Sequence, residues 1–330
     1  MPRKIRVSYG SALVLRLLQG KIDARPSTIY LMTYTTRKCA ANCGFCSQAR
    51  TSRSKAEFLS RIMWPIFHTE DVLERIIVYS RKGLIKRVCI QALNYPKVFF
   101  NLIALIRAIK QRLVIPVSLS CPPPSAKHML LLKEAGLDRI GIALDAATEI
   151  IFEKTRGSLV GGPYTWNEQL SKLHEARSLF GKGNVSTHLI AGLGETEEEM
   201  ILRIQQCMNM GVLPVLFAFT PIRGTALENN APPSLSSYRH IQLARYLIVN
   251  ALSNYGEMCF DDDGVVISYG INQQNMKQIV KTGKPFLTSG CPNCNRPFYN
   301  EKPSGPLYNY PRSLRKDEIA EVKKQLGLET

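Results

Sequence analysis

The segment "TIYLMTYTTRKCAANCGFC", residues 28–46, joins an apolar β-strand pattern to three closely spaced cysteines. Cys39, Cys43 and Cys46 follow the strand pattern directly, in a C-x3-C-x2-C spacing. Three thiolates at this spacing can converge on one side of a loop and bind zinc or an iron–sulfur cluster. Four protein ligands would saturate either centre, whereas three leave a position at which a small molecule can bind. The segment therefore predicts a strand whose C-terminal loop holds a reactive metal centre.

Seven further apolar or β-branched runs follow this strand, and helical patterns such as "PSAKHMLLLKEAGLD" and "ETEEEMILRIQQCMNMG" separate most of them. The strand candidates are "RVCIQAL", "IPVSLSC", "RIGIALD", "VSTHLIAGL", "VLPVLFAFTPI", "EMCF" and "KPFLTSG". Eight strands alternating with helices predict an α/β fold, a (βα)8 barrel of the TIM type, with a doubly wound open sheet as the alternative. Reactive groups of such barrels lie at the C-terminal ends of the strands, so we expect the three-cysteine loop at the catalytic face.

The chain divides into three predicted parts. Residues 1–28 form a basic, helical N-terminal extension, and residues 29–290 form the barrel. Residues 291–330 form a C-terminal extension that carries a second cysteine pair and ends in a closing helix, "RKDEIAEVKKQLGL". The proline-rich stretches at 121–125 and 229–237 are interpreted as loops or helix starts within the barrel rather than as linkers.

The composition excludes several classes of protein. No apolar run approaches the ~20 residues that cross a bilayer, so we expect no membrane association. Arg16 and Lys21 interrupt the apolar pattern of the N-terminus, and no small-residue cleavage site follows, so we predict no signal peptide. The nine cysteines are odd in number and partly clustered, which favours metal chemistry in a reducing cytoplasm over a disulfide framework.

The formal net charge of +17 allows two interpretations. It is either an ordinary solvated basic surface or a surface that attracts an acidic partner. The chain has no arginine-rich tail and no alternation of aromatic and basic residues of the kind that binds single-stranded nucleic acid. We therefore expect an acidic protein partner rather than nucleic acid.

The stretch "CAANCGFC" resembles the signature of radical S-adenosylmethionine (radical SAM) enzymes, with Phe45 at its aromatic position. The resemblance implies that Cys39, Cys43 and Cys46 hold a 4Fe–4S cluster whose open iron binds S-adenosylmethionine. An electron from a donor such as ferredoxin would then yield a 5′-deoxyadenosyl radical. A zinc knuckle with a distant fourth ligand is the alternative interpretation of the same cysteines.

Further segments resemble this family in the order expected for its barrel. In "LIAGLGE", residues 189–195, the resemblance implies that Ile190, Gly192 and Glu195 belong to the segment that packs against adenine. The match is partial, because His188 stands where the family pattern has its first glycine.

Three other positions are implied by the same resemblance. Asp145 corresponds to a carboxylate that binds the ribose hydroxyls, and Arg156 to an arginine that binds the carboxylate of S-adenosylmethionine. Gln91 corresponds to a residue at the methionine amine. Taken one at a time, each residue also has a structural interpretation, such as a helix cap or a surface side chain.

Within the family, "CGFCSQ", "HLIAGLGETEEE" and "PIRGTALENN" most resemble segments of biotin synthase. That enzyme holds a second cluster inside its barrel on three cysteines and an arginine. Cys89 matches the first of these cysteines, but Ser118 and Ser186 stand near the other two, and Cys259 near the arginine. The incomplete set argues against biotin synthase itself.

A second cysteine pair, Cys291 and Cys294, follows the last strand candidate in a C-x-x-C spacing. The spacing alone fits an iron–sulfur site, a zinc site or a redox disulfide. Its place after a barrel strand favours half of an auxiliary 4Fe–4S site at the catalytic face. Cys259, on the neighbouring strand candidate, is the first choice for a further ligand. The other candidates are Cys89, Cys121 and a serine such as Ser289 or Ser313.

A biotin synthase-like barrel with a displaced auxiliary site resembles a subunit of the archaeal two-component lipoyl synthase. The resemblance implies a sulfurtransferase that inserts sulfur into an octanoyl chain on a lysine of an acidic carrier domain, at the expense of the auxiliary cluster. It also implies a second, homologous subunit. The alternatives are another biotin synthase-like enzyme (a cofactor maturase or a rearranging enzyme), biotin synthase itself, a methylthiotransferase acting on RNA, and a zinc-binding interaction protein.

Overall fold

The computed structural model describes residues 1–328 of the chain, and its centre is an eight-stranded sheet in the order β10-β9-β8-β7-β6-β2-β1-β5. Two further hairpins, β3–β4 and β11–β12, lie outside this sheet. The strands are β1 (Lys4–Val7), β2 (Thr28–Thr33), β3 (Phe58–Leu59), β4 (Ile62–Met63), β5 (Ile66–His68), β6 (Arg87–Gln91), β7 (Val117–Cys121), β8 (Arg139–Ile142), β9 (Val185–Ala191), β10 (Leu213–Ala218), β11 (Cys259–Phe260) and β12 (Val266–Ser268).

Helices follow most strands and cover the outside of the sheet. Several begin at side-chain caps; for example, Thr196 and Glu199 form a capping box at the start of the helix after β9. The helices are α1 (Tyr9–Val14), α2 (Thr69–Arg81), α3 (Val98–Arg112), α4 (Ala126–Glu134), α5 (Glu149–Thr155), α6 (Trp166–Phe180), α7 (Glu197–Asn209), α8 (Leu235–Val249), α9 (Gln273–Lys281) and α10 (Lys316–Gln325). No helix within residues 1–328 is both long and apolar enough to cross a bilayer.

Six strands, β2 and β6 to β10, run parallel, and helices connect successive members. Every residue of β2 is buried, as expected for a strand packed on both faces. Ile29 and Leu31 belong to the main core with the helices, whereas Tyr30 and Met32 face the inside of the barrel. The predicted α/β fold of the TIM type is confirmed, together with its first six strands.

The predicted seventh and eighth barrel strands are wrong. Cys259 and Phe260 form β11, which pairs only with β12 in a separate antiparallel hairpin. The stretch Lys284–Phe286 forms a 3-10 helix with Pro285 near its start. Proline has no backbone N–H to donate to a ladder, and two residues of "EMCF" are too few to extend the sheet. The parallel part therefore has six strands, and β10 and β5 are the edges of the sheet.

The segment of residues 287–300, named here the closing segment, lies beside the gap between β10 and β2, the outermost strands of the parallel part. At one side the Leu216 amide of β10 donates to Ser289 Oγ at 2.8 Å. At the other side Asn295 Nδ2 donates to the Arg25 carbonyl, just before β2, at 2.9 Å. The closing segment thus bridges β10 and β2 through side-chain hydrogen bonds where a closed barrel would have further strands.

The N-terminal extension differs from its prediction as a helix. Residues Lys4–Val7 form β1, which pairs antiparallel with both β2 and β5, and α1 is only six residues long. Three of the four β1 residues are buried, so pairing with the sheet outweighs the local pattern. The helix expected near the C-terminus is present as α10, and residues 329–330 lie outside the described residues.

Candidate active site

A cavity of about 290 Å³ occupies the interior of the barrel. Alternate residues of the parallel strands form its wall, because successive side chains of a strand point to opposite faces. The loop after β2 borders the cavity at the C-terminal ends of the strands, and the closing segment borders it at the side. Two separate groups of cysteines therefore line one space.

Cys39, Cys43 and Cys46 all line this cavity from the loop after β2. The Cys46 amide donates to the Cys43 carbonyl at 3.0 Å, which turns the loop back on itself. The Asn94 amide donates to Cys39 Sγ at 3.1 Å, and Arg156 Nη1 donates to Cys43 Sγ at 3.7 Å. Donors of this kind stabilise thiolate ligands and tune a bound cluster.

The three thiols favour a cationic centre on electrostatic grounds. Burial raises the pKa of Cys43 to about 11, Arg156 opposes this effect, and Asp145 and Cys39 add to it. Burial and the neighbouring Cys43 also raise the pKa of Cys46. Thiols with raised pKa values lose their protons when a metal centre supplies positive charge. Within residues 1–328 no three His, Cys, Asp or Glu side chains are already arranged as a metal site. The three cysteines suit an iron–sulfur cluster for other reasons: they are thiols, they line one cavity, and N–H groups donate to two of their sulfur atoms.

Asp145 and Arg156 form a buried ion pair beside Cys43, through Arg156 Nη1 and Asp145 Oδ2. The Arg156 guanidinium lies 4.6 Å above the centre of the Tyr164 ring. Burial disfavours the charged guanidinium, but Cys43 and Asp145 outweigh this effect and raise the pKa of Arg156. Asp145 has a φ of +65°, an unusual conformation for a non-glycine residue that often marks functional sites. The pair places one carboxylate and one fixed cation in the wall of the cavity.

Gln91, Phe45 and Ile190, the other predicted contacts of S-adenosylmethionine, also line the cavity. Gln91 lies at the end of β6, where Gln91 Nε2 donates to Cys89 Sγ at 3.2 Å. Ile190 projects from β9 near Asp145, since the Ile190 amide donates to the Asp145 carbonyl at 2.8 Å. The structure thus brings these three residues together around the space in front of the three-cysteine loop.

Gly192 and Glu195 do not line the cavity but shape the loop after β9. Glu195 accepts hydrogen bonds from the amides of Gly192 and Leu193 at 2.6 and 3.0 Å. Burial raises the pKa of Glu195 to about 7 despite these bonds. Gly192 has a φ of +99°, and a Cβ there would lie 2.6 Å from the Pro233 side chain. Their role in this structure is to hold the loop that follows Ile190.

The second cysteine pair lies in the same cavity. Cys294 Sγ is 3.2 Å from the Tyr30 hydroxyl, and Cys291 Sγ is 3.5 Å from Ser118 Oγ. The structure corrects the choice of Cys259 as a further ligand, because Cys259 is exposed on β11 and does not border the cavity. The sequence placed it on a barrel strand that does not exist.

The family model of the radical SAM superfamily matches residues 33–205. The chain belongs to the radical SAM superfamily. Membership implies a 4Fe–4S cluster and S-adenosylmethionine, and the three-cysteine loop lies within the matched residues. When bound, this cluster and its ligand supply a primary carbon radical.

Radical SAM relatives share part of the chain. A biotin synthase from Acaryochloris marina is 26% identical over 165 residues, which are 49% of this chain and 44% of that protein. One from Magnetococcus marinus is 29% identical over 165 residues, 49% of this chain and 47% of that protein. The chain spans about half the length of these curated relatives. The FeFe-hydrogenase maturase HydG from Carboxydothermus hydrogenoformans covers 73% of this chain, with 55% of its own length, a TM-score of 0.53 and 17% identity. That likeness shows the fold alone.

Two cavity residues of this radical SAM barrel escaped the sequence reasoning. The Arg296 guanidinium lies 3.8 Å above the Phe217 ring centre, and Arg296 Nη2 donates to the Ser289 carbonyl at 2.7 Å. His188 packs edge-on against Phe217, and burial together with two nearby arginines lowers its pKa to about 3, so the ring is neutral at physiological pH. An arginine two residues after a C-x-x-C pair matches no sequence pattern that would mark it as a cavity residue. Only the path of the closing segment turns Arg296 inward.

Proposed function

We propose that the chain is a radical SAM sulfurtransferase and one subunit of a lipoyl synthase. It would insert sulfur into the octanoyl chain of an octanoyl-lysyl carrier domain. The observation that supports this proposal is the second thiol pair, Cys291 and Cys294, in the same cavity as the three cysteines of the radical SAM loop. A rearranging radical enzyme has no need of a second group of soft ligands beside its substrate.

The reaction makes two demands that the cavity can meet. An unactivated C–H bond resists every acid, base and nucleophile among the side chains, so its cleavage requires a cofactor-derived radical. The alkyl radical must then meet a sulfur atom at once, which requires the hydrogen acceptor and the sulfur source to be held close together. Both groups of cysteines, the three of the loop after β2 and the pair Cys291 and Cys294, line one cavity of about 290 Å³.

The two groups of cysteines have different roles in this proposal. Cys39, Cys43 and Cys46 hold the cluster that activates S-adenosylmethionine, and Cys291 and Cys294 belong to an auxiliary 4Fe–4S site that supplies sulfur and is consumed. Apolar side chains from β10 line the same cavity, and they suit an acyl chain.

The partners follow from charge and chemistry. A net charge of +17 favours association with an acidic carrier domain, because complementary charge accelerates and orients encounter. The proposal includes a second homologous synthase subunit and an electron donor such as ferredoxin. We place the protein in the cytoplasm, where reducing conditions keep its nine free cysteines available for clusters.

Anaerobic turnover tests the proposal. Reconstituted protein is incubated with reductant, S-adenosylmethionine and an octanoyl-lysine peptide of a carrier domain, with and without a second subunit. The expected products are 5′-deoxyadenosine and a peptide that has gained sulfur on its octanoyl chain, measured by mass spectrometry. Cleavage of S-adenosylmethionine with no carbon–sulfur bond in either mixture would favour another biotin synthase-like activity, such as a cofactor maturase or a rearranging enzyme.

A further inference from the structure

The geometry points to Cys89 as the third thiolate of a 4Fe–4S site that also uses Cys291 and Cys294. This assignment gives the ligands of the auxiliary site in the proposed function. Only the use of the cluster in sulfur transfer depends on that proposed function. It replaces Cys259, which the sequence favours, with a residue from the wall of the barrel.

The first argument is the register of three neighbouring strands. Tyr30 of β2 pairs with Cys89 of β6, and Cys89 pairs with Ser118 of β7. The three side chains therefore form one inward-facing row, with adjacent strands about 4.8 Å apart. Cys89 occupies the centre of this row.

The second argument is how the closing segment meets the row. Cys294 Sγ lies 3.2 Å from the Tyr30 hydroxyl on one side of Cys89. Cys291 Sγ lies 3.5 Å from Ser118 Oγ on the other side. The two thiols of the closing segment thus bracket Cys89 from opposite sides. Three thiols from two separate elements thus line the same stretch of the cavity wall.

Electrostatic effects agree with this convergence. After burial, the proximity of Cys291 and Cys294 contributes most to the raised pKa of Cys89, and Arg296 opposes them. For Cys121, burial alone raises the pKa, although Cys121 lines the same cavity. Arg296 Nε is buried and has no hydrogen-bond partner among the described residues, and the positive charge of Arg296 opposes the raised pKa values of Cys89 and Cys294. A fixed cation compensates the negative charge of a thiolate-bound cluster.

The remaining cysteines lie elsewhere. Cys259 is exposed on β11, and Cys207 is fully buried in the packed face of α7. Soft thiolates are the preferred ligands of iron–sulfur clusters. Three of them would leave one iron of a 4Fe–4S cluster without a protein ligand, and the cluster would border the cavity that a substrate enters.

Iron counting tests the assignment without any substrate. The Cys39→Ala/Cys43→Ala/Cys46→Ala chain removes the first cluster, and after anaerobic reconstitution it should retain about four iron and four sulfide per chain. Adding Cys89→Ala should remove most of this iron and its absorption. Adding Cys121→Ala, a matched change on the neighbouring strand in the same cavity, or Cys259→Ala, should leave the iron content unchanged.

A second measurement covers the case in which Cys89→Ala disturbs folding. In the otherwise wild-type reconstituted protein, Cys89 should resist alkylation together with Cys291 and Cys294, and chelation of the iron should expose all three to the reagent at the same rate. Retention of the second cluster in the Cys89→Ala background, or alkylation of Cys89 in a fully loaded chain, would overturn the assignment. A cluster that depends on Cys89 but transfers no sulfur would overturn the lipoyl synthase proposal and leave the site in place.

Discussion

Replacing Arg156 by methionine should cost the protein about 3–5 kcal/mol of unfolding free energy, the range observed when one member of a buried ion pair is removed. The Asp145 and Arg156 side chains are only 6% and 9% exposed, so little solvent screens the carboxylate that remains. The variant also loses the Arg156 donor to Cys43 Sγ and the cation over Tyr164. Methionine keeps much of the packing volume, so charge is the main difference.

The pH dependence of this loss has a definite sign. Burial raises the pKa of Asp145, and without Arg156 nothing of comparable strength opposes the shift. A carboxyl whose pKa is raised on folding favours the folded state at low pH, and this stabilisation is lost as pH rises through the folded-state pKa. The penalty of Arg156→Met should therefore increase from pH 5 to pH 8. Asp145→Asn in the Arg156→Met background removes the charge and should recover part of the stability.

Chemical denaturation of the metal-free chain, followed by far-ultraviolet circular dichroism, measures both effects. Lys172→Met is a matched control, because Lys172 and Glu175 form a partly exposed pair that should contribute less than about 1 kcal/mol. The reasoning is refuted if Arg156→Met destabilises no more than Lys172→Met, or if its penalty does not depend on pH. Binding of S-adenosylmethionine to the reconstituted variant should also weaken, since the fixed cation in the cavity wall is lost.

The remaining predictions concern the clusters and the carrier. The Cys39→Ala/Cys43→Ala/Cys46→Ala variant should form no 5′-deoxyadenosine after reconstitution, and undiminished product would contradict the assignment of the first cluster. The Cys291→Ala/Cys294→Ala variant should still cleave S-adenosylmethionine but form no carbon–sulfur bond; wild-type iron content with continued sulfur transfer would rule out a sacrificial site there. Affinity for an acidic octanoyl carrier, measured across a salt series, should fall as ionic strength rises, because charges are screened over about 8 Å at physiological salt. A flat response, or tight binding to RNA alone, would contradict the electrostatic docking.

The first cluster was predictable from the sequence because its geometry is local. Cys39, Cys43 and Cys46 lie within eight residues of one another, and the spacing of ligands on a short loop follows from the covalent chain. The strand before them was also predictable, since a run of apolar residues without polar alternation indicates a strand buried on both faces. The next five strands were predicted from shorter apolar or β-branched runs, and each of them is followed by a helix.

The end of the barrel was not predictable in this way. Short apolar runs such as "EMCF" and "KPFLTSG" satisfy a strand pattern, but pairing depends on partners distant in the chain. The sheet instead ends at β10, and the closing segment covers the gap through side-chain hydrogen bonds that leave no periodic signal. A prediction that relied on these strands necessarily misplaced Cys259.

The sequence by itself determined the family, the parallel α/β order and the first three thiols, because each depends on residues that are neighbours along the chain. Only the tertiary structure decided which residues face the second thiol pair. Cys89 and Cys291 are about two hundred positions apart in the chain, and they line one cavity because strand register fixes one and the path of the closing segment fixes the other. Arg296 also enters the cavity because of contacts that are distant in the chain. The Arg296 amide donates to the Tyr30 hydroxyl, and the Arg296 guanidinium lies over the Phe217 ring of β10.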